Sequence, residues 1–104
     1  MRVADYRKRR RAFDAELAKM AANLRTDLHQ WEAGLVTADE RLDAHRATLE
    51  TVPEGNDFAL RDYMATEYRL EGDRDYASRR AAGLRDQIRQ IGEIERLVYR
   101  YLNF

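Results

Sequence analysis

With 104 residues and no cysteine, the chain has room for one domain at most, and disulfides, thiolate metal ligands and thiol nucleophiles are excluded together. Charged residues make up 37% of it and the mean hydropathy is −0.78, yet 44% of residues are hydrophobic and fall at helical spacing, which argues for an ordered, charge-rich helical protein rather than a disordered one. Nineteen basic side chains balance nineteen acidic ones, so the zero net charge conceals how unevenly the charge is placed.

The first arm carries apolar or seam residues in steps of three or four: Val3, Tyr6, Arg10, Phe13, Leu17, Met20, Leu24, Leu28, Trp31, Leu35, Ala38, Leu42, His45, Leu49 and Val52. That period predicts a helix over about residues 3–52. The N-terminal stretch has no apolar core of a signal peptide, only Met1 to Tyr6 followed by Arg7-Lys8-Arg9-Arg10-Arg11, so a cytoplasmic location is expected. Gly34 has the character of a helix C-cap and Thr37-Ala38-Asp39-Glu40 that of a capping box, which leaves the arm either kinked at 34–37 or continuous. Two successive four-residue steps at Met20, Leu24 and Leu28 read as a stutter, a local unwinding of a left-handed supercoil.

Pro53-Glu54-Gly55-Asn56-Asp57 is the turn signal. Proline biases Val52 away from helix, Gly55 accepts positive φ, and Asn56 or Asp57 can cap the following helix. The second arm, about residues 58–102, repeats the spacing with Leu60, Tyr63, Glu67, Leu70, Arg74, Ala77, Ala81, Leu84, Ile88, Ile91, Glu95, Val98 and Leu102, and Gly72-Asp73 is its weak point. The expectation is a single all-α domain, residues 1–104: a long antiparallel, coiled-coil-like helical hairpin with kink points at 34–37 and 72–73, assembling into a helical bundle. Folding about residue 55 pairs positions whose numbers sum to about 110. No apolar run reaches membrane length.

Residues 1–36 carry 8 basic and 5 acidic side chains, residues 76–104 carry 6 and 3, and residues 37–75 carry 5 and 11. A basic open half and an acidic turn half follow. The basic run at 7–11 with Tyr6, joined at the same end by Tyr99, Arg100 and Tyr101, has the composition of a phosphate-binding patch, but the acidic residues near it favour a solvated face or a contact for an acidic protein. His45 and Glu67 sit on opposing ladders within reach of a cross-seam hydrogen bond, and such polar pairs fix register more than they stabilise. Arg10 and Glu95 would form a second seam pair only if the register slipped. The Glu-x-x-His pattern of carboxylate-bridged metal bundles is missing, and no Ser/His/Asp set or phosphate-cradling glycine loop can be assembled, so no metal, no cofactor and no catalysis are expected.

Two helices joined by one turn cover one stripe each, yet Ile94, Leu97, Tyr101 and Phe104 form a second stripe beside Ile91, Val98 and Leu102. An exposed stripe of that kind calls for a partner. The expected function is a non-enzymatic helical protein-interaction module, an adaptor, assembly component or inhibitor, that forms a homodimer or larger homo-oligomer. Its contact residues would be Ile94, Leu97, Tyr101 and Phe104, with Arg7, Arg9, Arg11 and Arg100 at the basic end and Ala12, Ala15, Ala18 and Ala22 offering close approach on the first arm. The alternative is a nucleic-acid-associated helical subunit that uses the basic end; no membrane contact is expected.

Overall fold

The computed structural model describes residues 2–102, and side chains over residues 2–100. It is an all-α hairpin of two long helices, α1 (Val3–Arg46) and α2 (Asp57–Leu102), joined by a short connection that holds one 3₁₀ turn, Leu49–Thr51. No described helix is long and apolar enough to cross a membrane.

Both helices run through their glycine weak points without a break. At the expected capping box, Thr37 Oγ1 donates to the Ala33 carbonyl at 3.2 Å, so the hydroxyl serves the helix it stands in and starts no new one. A glycine inside a helix costs about 0.5–1 kcal/mol relative to alanine, while burying one leucine-sized side chain contributes about 1.5–3 kcal/mol. With Trp31, Leu35 and Leu42 all turned to the seam around Gly34, continuity wins.

Helix α1 ends at Arg46, short of the expected end near Val52. The cause is the threonine pair that follows. Thr48 donates from its backbone N and from Oγ1 to the His45 carbonyl, at 2.9 and 2.6 Å, and Thr51 repeats the arrangement on the Thr48 carbonyl, at 2.9 and 2.6 Å. These i to i+3 bonds tighten the chain into 3₁₀ geometry and stop the α-helical ladder. Val52 is extended, as a residue before proline should be, and Gly55 takes φ 74°, the one positive φ the turn needs. Asn56 Oδ1 then accepts the Ala59 N–H at 3.0 Å, capping α2 as expected.

The described chain divides into two compact units, each containing part of both helices. Unit 1 comprises residues up to Leu28 and from Ala82 onward; unit 2 comprises His29–Ala81. In unit 1, Leu17, Ala21 and Ile91 form a buried cluster against which Leu24 packs. In unit 2 the buried side chains are Leu42, at 1% exposure, with Tyr63, Ala77 and Ala81, while Trp31 meets Tyr76 edge to face at 5.4 Å and His45 stacks on Tyr63 at 4.2 Å. The partners Trp31 with Tyr76 and His45 with Tyr63 obey the expected pairing about residue 55 to within a few positions.

The ladder departs from expectation at Val3, Tyr6, Phe13, Leu49 and Leu60, which are exposed near the ends of the seam, and at Met20 within it. Ala21 is buried and Met20 is half exposed, so the seam runs Leu17, Ala21, Leu24, Leu28. The steps from Leu17 onward then alternate regularly, and the double four-residue step falls at Phe13, Leu17 and Ala21 instead. Spacing alone does not choose between adjacent Met20 and Ala21. Hydrophobicity favours the larger side chain, but in unit 1 it is the small one that packs with Leu17 and Ile91.

Candidate protein interaction surface

With the seam established, the heptad positions follow. In α1 the a positions are Ala21, Leu28, Leu35 and Leu42 and the d positions Leu17, Leu24, Trp31, Ala38 and His45. In α2 the d positions, Tyr63, Leu70, Ala77, Leu84, Ile91 and Val98, are all apolar, whereas the a positions include Glu67, Arg74 and Glu95. Each unit therefore has two flanks beside its seam, one lined by e and b positions and the other by g and c.

In unit 2 the e flank is polar. Arg46 reaches across to Glu67 at 3.3 Å and Glu71 at 2.6 Å, and Arg74 lies 4.0 Å from Asp39 and 3.2 Å from Asp75. The hydrogen bond that Arg46 donates to Glu67, with Glu71 accepting a second, holds the guanidinium protonated beyond its usual range. Glu67 is thus taken by Arg46 rather than by His45 as expected. His45 turns its Nε2 to the Tyr63 carbonyl at 2.9 Å, and because a carbonyl only accepts, Nε2 carries the hydrogen. The Tyr63 hydroxyl is pushed above its ordinary range by desolvation, with the negative charge of Glu67 adding to it. Arg10 pairs within its own helix with Asp14 at 4.0 Å and not with Glu95.

The g flanks differ. In unit 1 a groove of about 460 Å³ is lined by Met20, Asn23 and Leu24 of α1 and by Gln87, Gln90, Ile91 and Ile94 of α2. None of these seven residues is charged, in a chain where 37% of residues are. Met20 is 50% exposed and Ile94 41%, so two large aliphatic side chains stand in water on the groove walls while Leu24 and Ile91 form its floor. Fully buried interface cores are depleted in charge in just this way. On the next turn Leu97, 54% exposed, and Arg100 border a smaller recess with Glu93 and Arg96. In unit 2 the g flank holds a recess of about 370 Å³ lined by Trp31, Gly34, Thr37, Ala38 and Arg41 of α1 and by Leu70, Asp73, Tyr76 and Ala77 of α2.

The expected contact residues distribute as follows. Ile94 and Leu97 are exposed on the g flank of unit 1, and Arg7, Arg9, Arg11 and Arg100 are exposed. The side chains of Tyr101 and Phe104 lie outside those described. Ala12, Ala15, Ala18 and Ala22 are exposed, but Ala15, Ala18 and Ala22 hold b and e positions, on the other side of the α1 seam from Met20 and Asn23. The residues that share a surface with Ile94 are Met20, Asn23 and Leu24, which the apolar ladder places in the core or leaves out. Among the described residues no cluster of three or more histidine and carboxylate side chains is placed to hold a metal ion.

The fold is that of an antiparallel helical hairpin, with an uncharged groove in unit 1 and cross-helix ion pairs in unit 2. No protein-family model matches the chain, and no curated protein or solved structure matches it.

Proposed function

We propose that this chain is a non-enzymatic helical protein-interaction module that self-associates through the g flank of unit 1. The observation that carries the reading is the uncharged groove between Met20 and Ile94. Half-exposed aliphatic side chains contribute roughly 25 cal/mol for each Å² of apolar surface a partner removes from water, and the amides of Asn23 and Gln87 give such a partner hydrogen bonds without the desolvation cost of charges. Light scattering over a dilution series tests it: the protein is expected to run as a dimer or larger at tens of micromolar, and Ile94→Glu as a monomer of unchanged helicity. A wild-type monomer at those concentrations, or a variant that stays associated, overturns the reading.

The second reading, a nucleic-acid-associated subunit, is favoured by the exposure of Arg7, Arg9 and Arg11 in a unit whose 12 basic side chains outnumber its 7 acidic ones. Retention of labelled duplex DNA or RNA that falls steeply between low and moderate salt would support it, because phosphate contacts release counterions. No retention at low salt removes it.

A further inference from the structure

Each unit is lopsided in charge. Unit 1 is net +5, while unit 2, with 7 basic and 12 acidic side chains, is net −5. Their g flanks also differ in relief. The flank of unit 1 projects Met20 and Ile94 above its floor. That of unit 2 is hollowed, because Gly34, Ala38 and Ala77 are small and nothing lies within 4 Å of where a Gly34 side chain would stand. Beside the hollow, Tyr76 is 52% exposed and leans edge-on against Trp31. Trp31 is itself engaged by a cation, since the Arg80 guanidinium sits 5.5 Å from its ring centre, so Tyr76 is the aromatic side chain this flank presents outward.

We infer that the occupant of the unit 1 groove is unit 2 of a second copy of this chain, in a head-to-tail contact that seats the groove walls at Met20 and Gln87 over Gly34 and Ala38 and brings Tyr76 into the groove. This rests on the self-association proposed above and adds its orientation. Two observations select head-to-tail over like-on-like packing. Stacking two unit 1 surfaces would bring two +5 bodies together, whereas unit 1 on unit 2 joins +5 with −5, an attraction that acts over about a Debye length, roughly 8–10 Å at physiological salt. Relief agrees, since two walls of projecting aliphatics leave voids when apposed and a wall against a small-residue hollow does not. Every copy carries both surfaces, so each can both give and receive this contact.

The chain has no cysteine, so single introduced thiols report unambiguously. Gly34→Cys and Gln87→Cys place one thiol in the hollow of unit 2 and one in the groove of unit 1. When the two variants are mixed and oxidised with copper phenanthroline, the mixed dimer linking position 34 of one copy to position 87 of the other should form at least about tenfold faster than either variant's own homodimer, because a disulfide needs Cα atoms within about 7 Å. Val36→Cys, on the far side of α1 from the hollow, serves as the control and should not cross-link with Gln87→Cys. A dimer by light scattering whose dominant cross-linked product joins two copies of the Gln87→Cys variant overturns the orientation and leaves self-association standing; monomers throughout overturn both. A second measurement is indifferent to any packing defect in the variants. Raising salt from about 50 mM to about 0.5 M should weaken association of the wild type several-fold if unlike units meet, and should strengthen it if like units do. Strengthening by salt overturns the orientation.

Discussion

Leu42, at 1% exposure, is the most completely enclosed large side chain of unit 2, and it marks how little of this molecule is interior. Leu42→Ala should lower the unfolding free energy by about 2–5 kcal/mol in a urea titration, whereas Phe58→Ala, at an exposed position, should stay within about 0.5 kcal/mol of wild type. A small loss at Leu42 would mean that the seam is not packed there. The ion pairs of the e flank predict differently. Arg46 and its two carboxylate partners are substantially open to water, so solvent screens both pairs and Arg46→Met should be nearly neutral, with its small effect vanishing in high salt. Tyr63 offers a pH handle. Its hydroxyl is held above the ordinary tyrosine range, so the folded state binds that proton more tightly than the unfolded one; the resulting stability is present below about pH 10 and is lost as pH rises through the folded-state value. Tyrosinate absorbance should show Tyr63 ionising late when wild type is compared with Tyr63→Phe, and the variant should lose less stability as pH rises through the folded-state value of that hydroxyl. Early ionisation would contradict the burial and the charge assigned to that site.

At the level of elements, the hairpin depends on which glycines the backbone needs. Gly55 alone has positive φ among the described residues, and Gly55→Ala should destabilise by more than about 1 kcal/mol. Gly72 stands inside α2 with open space where a side chain would go, so Gly72→Ala should stabilise by about 0.5–1 kcal/mol, read as a higher urea midpoint with an unchanged slope. Equal effects at the two positions would show that the turn geometry is not as described. The cap at Asn56 should be worth about 1 kcal/mol, tested by Asn56→Ala. The Gly34 and Gly72 positions also show the limit of local signals. Cap-like composition marks where a helix can end, and the seam residues on both sides decide whether it does.

For the whole molecule the central expectation is that stability and assembly are linked. A hairpin leaving Met20, Ile94 and Leu97 half in water is incompletely buried as a monomer, and any partner that binds only the folded chain stabilises it by mass action. The melting temperature should therefore rise with protein concentration across about two decades for the wild type, and stay flat for Ile94→Glu. A flat curve for both would indicate a hairpin stable without company.

The helical class, the reversal at 53–57 and a cap at Asn56 or Asp57 follow from spacing and turn chemistry, because periodicity and fixed φ requirements are local properties of the chain. So does the exposed Ile94 and Leu97 stripe, which a count of helix faces already demands. Other features are legible only once the two helices are packed. Which of Met20 and Ala21 is buried depends on how α1 is rotated about its axis against α2, and the answer moves Met20 from the core to the wall of a groove. Glu67 was expected to meet His45, and the residue it does meet, Arg46, is the next on α1 and so points about 100° away. The rotation of α1 against α2 gives the carboxylate to Arg46 and the Tyr63 carbonyl to His45, because a side chain finds its partner in three dimensions and the helical repeat alone leaves that rotation open.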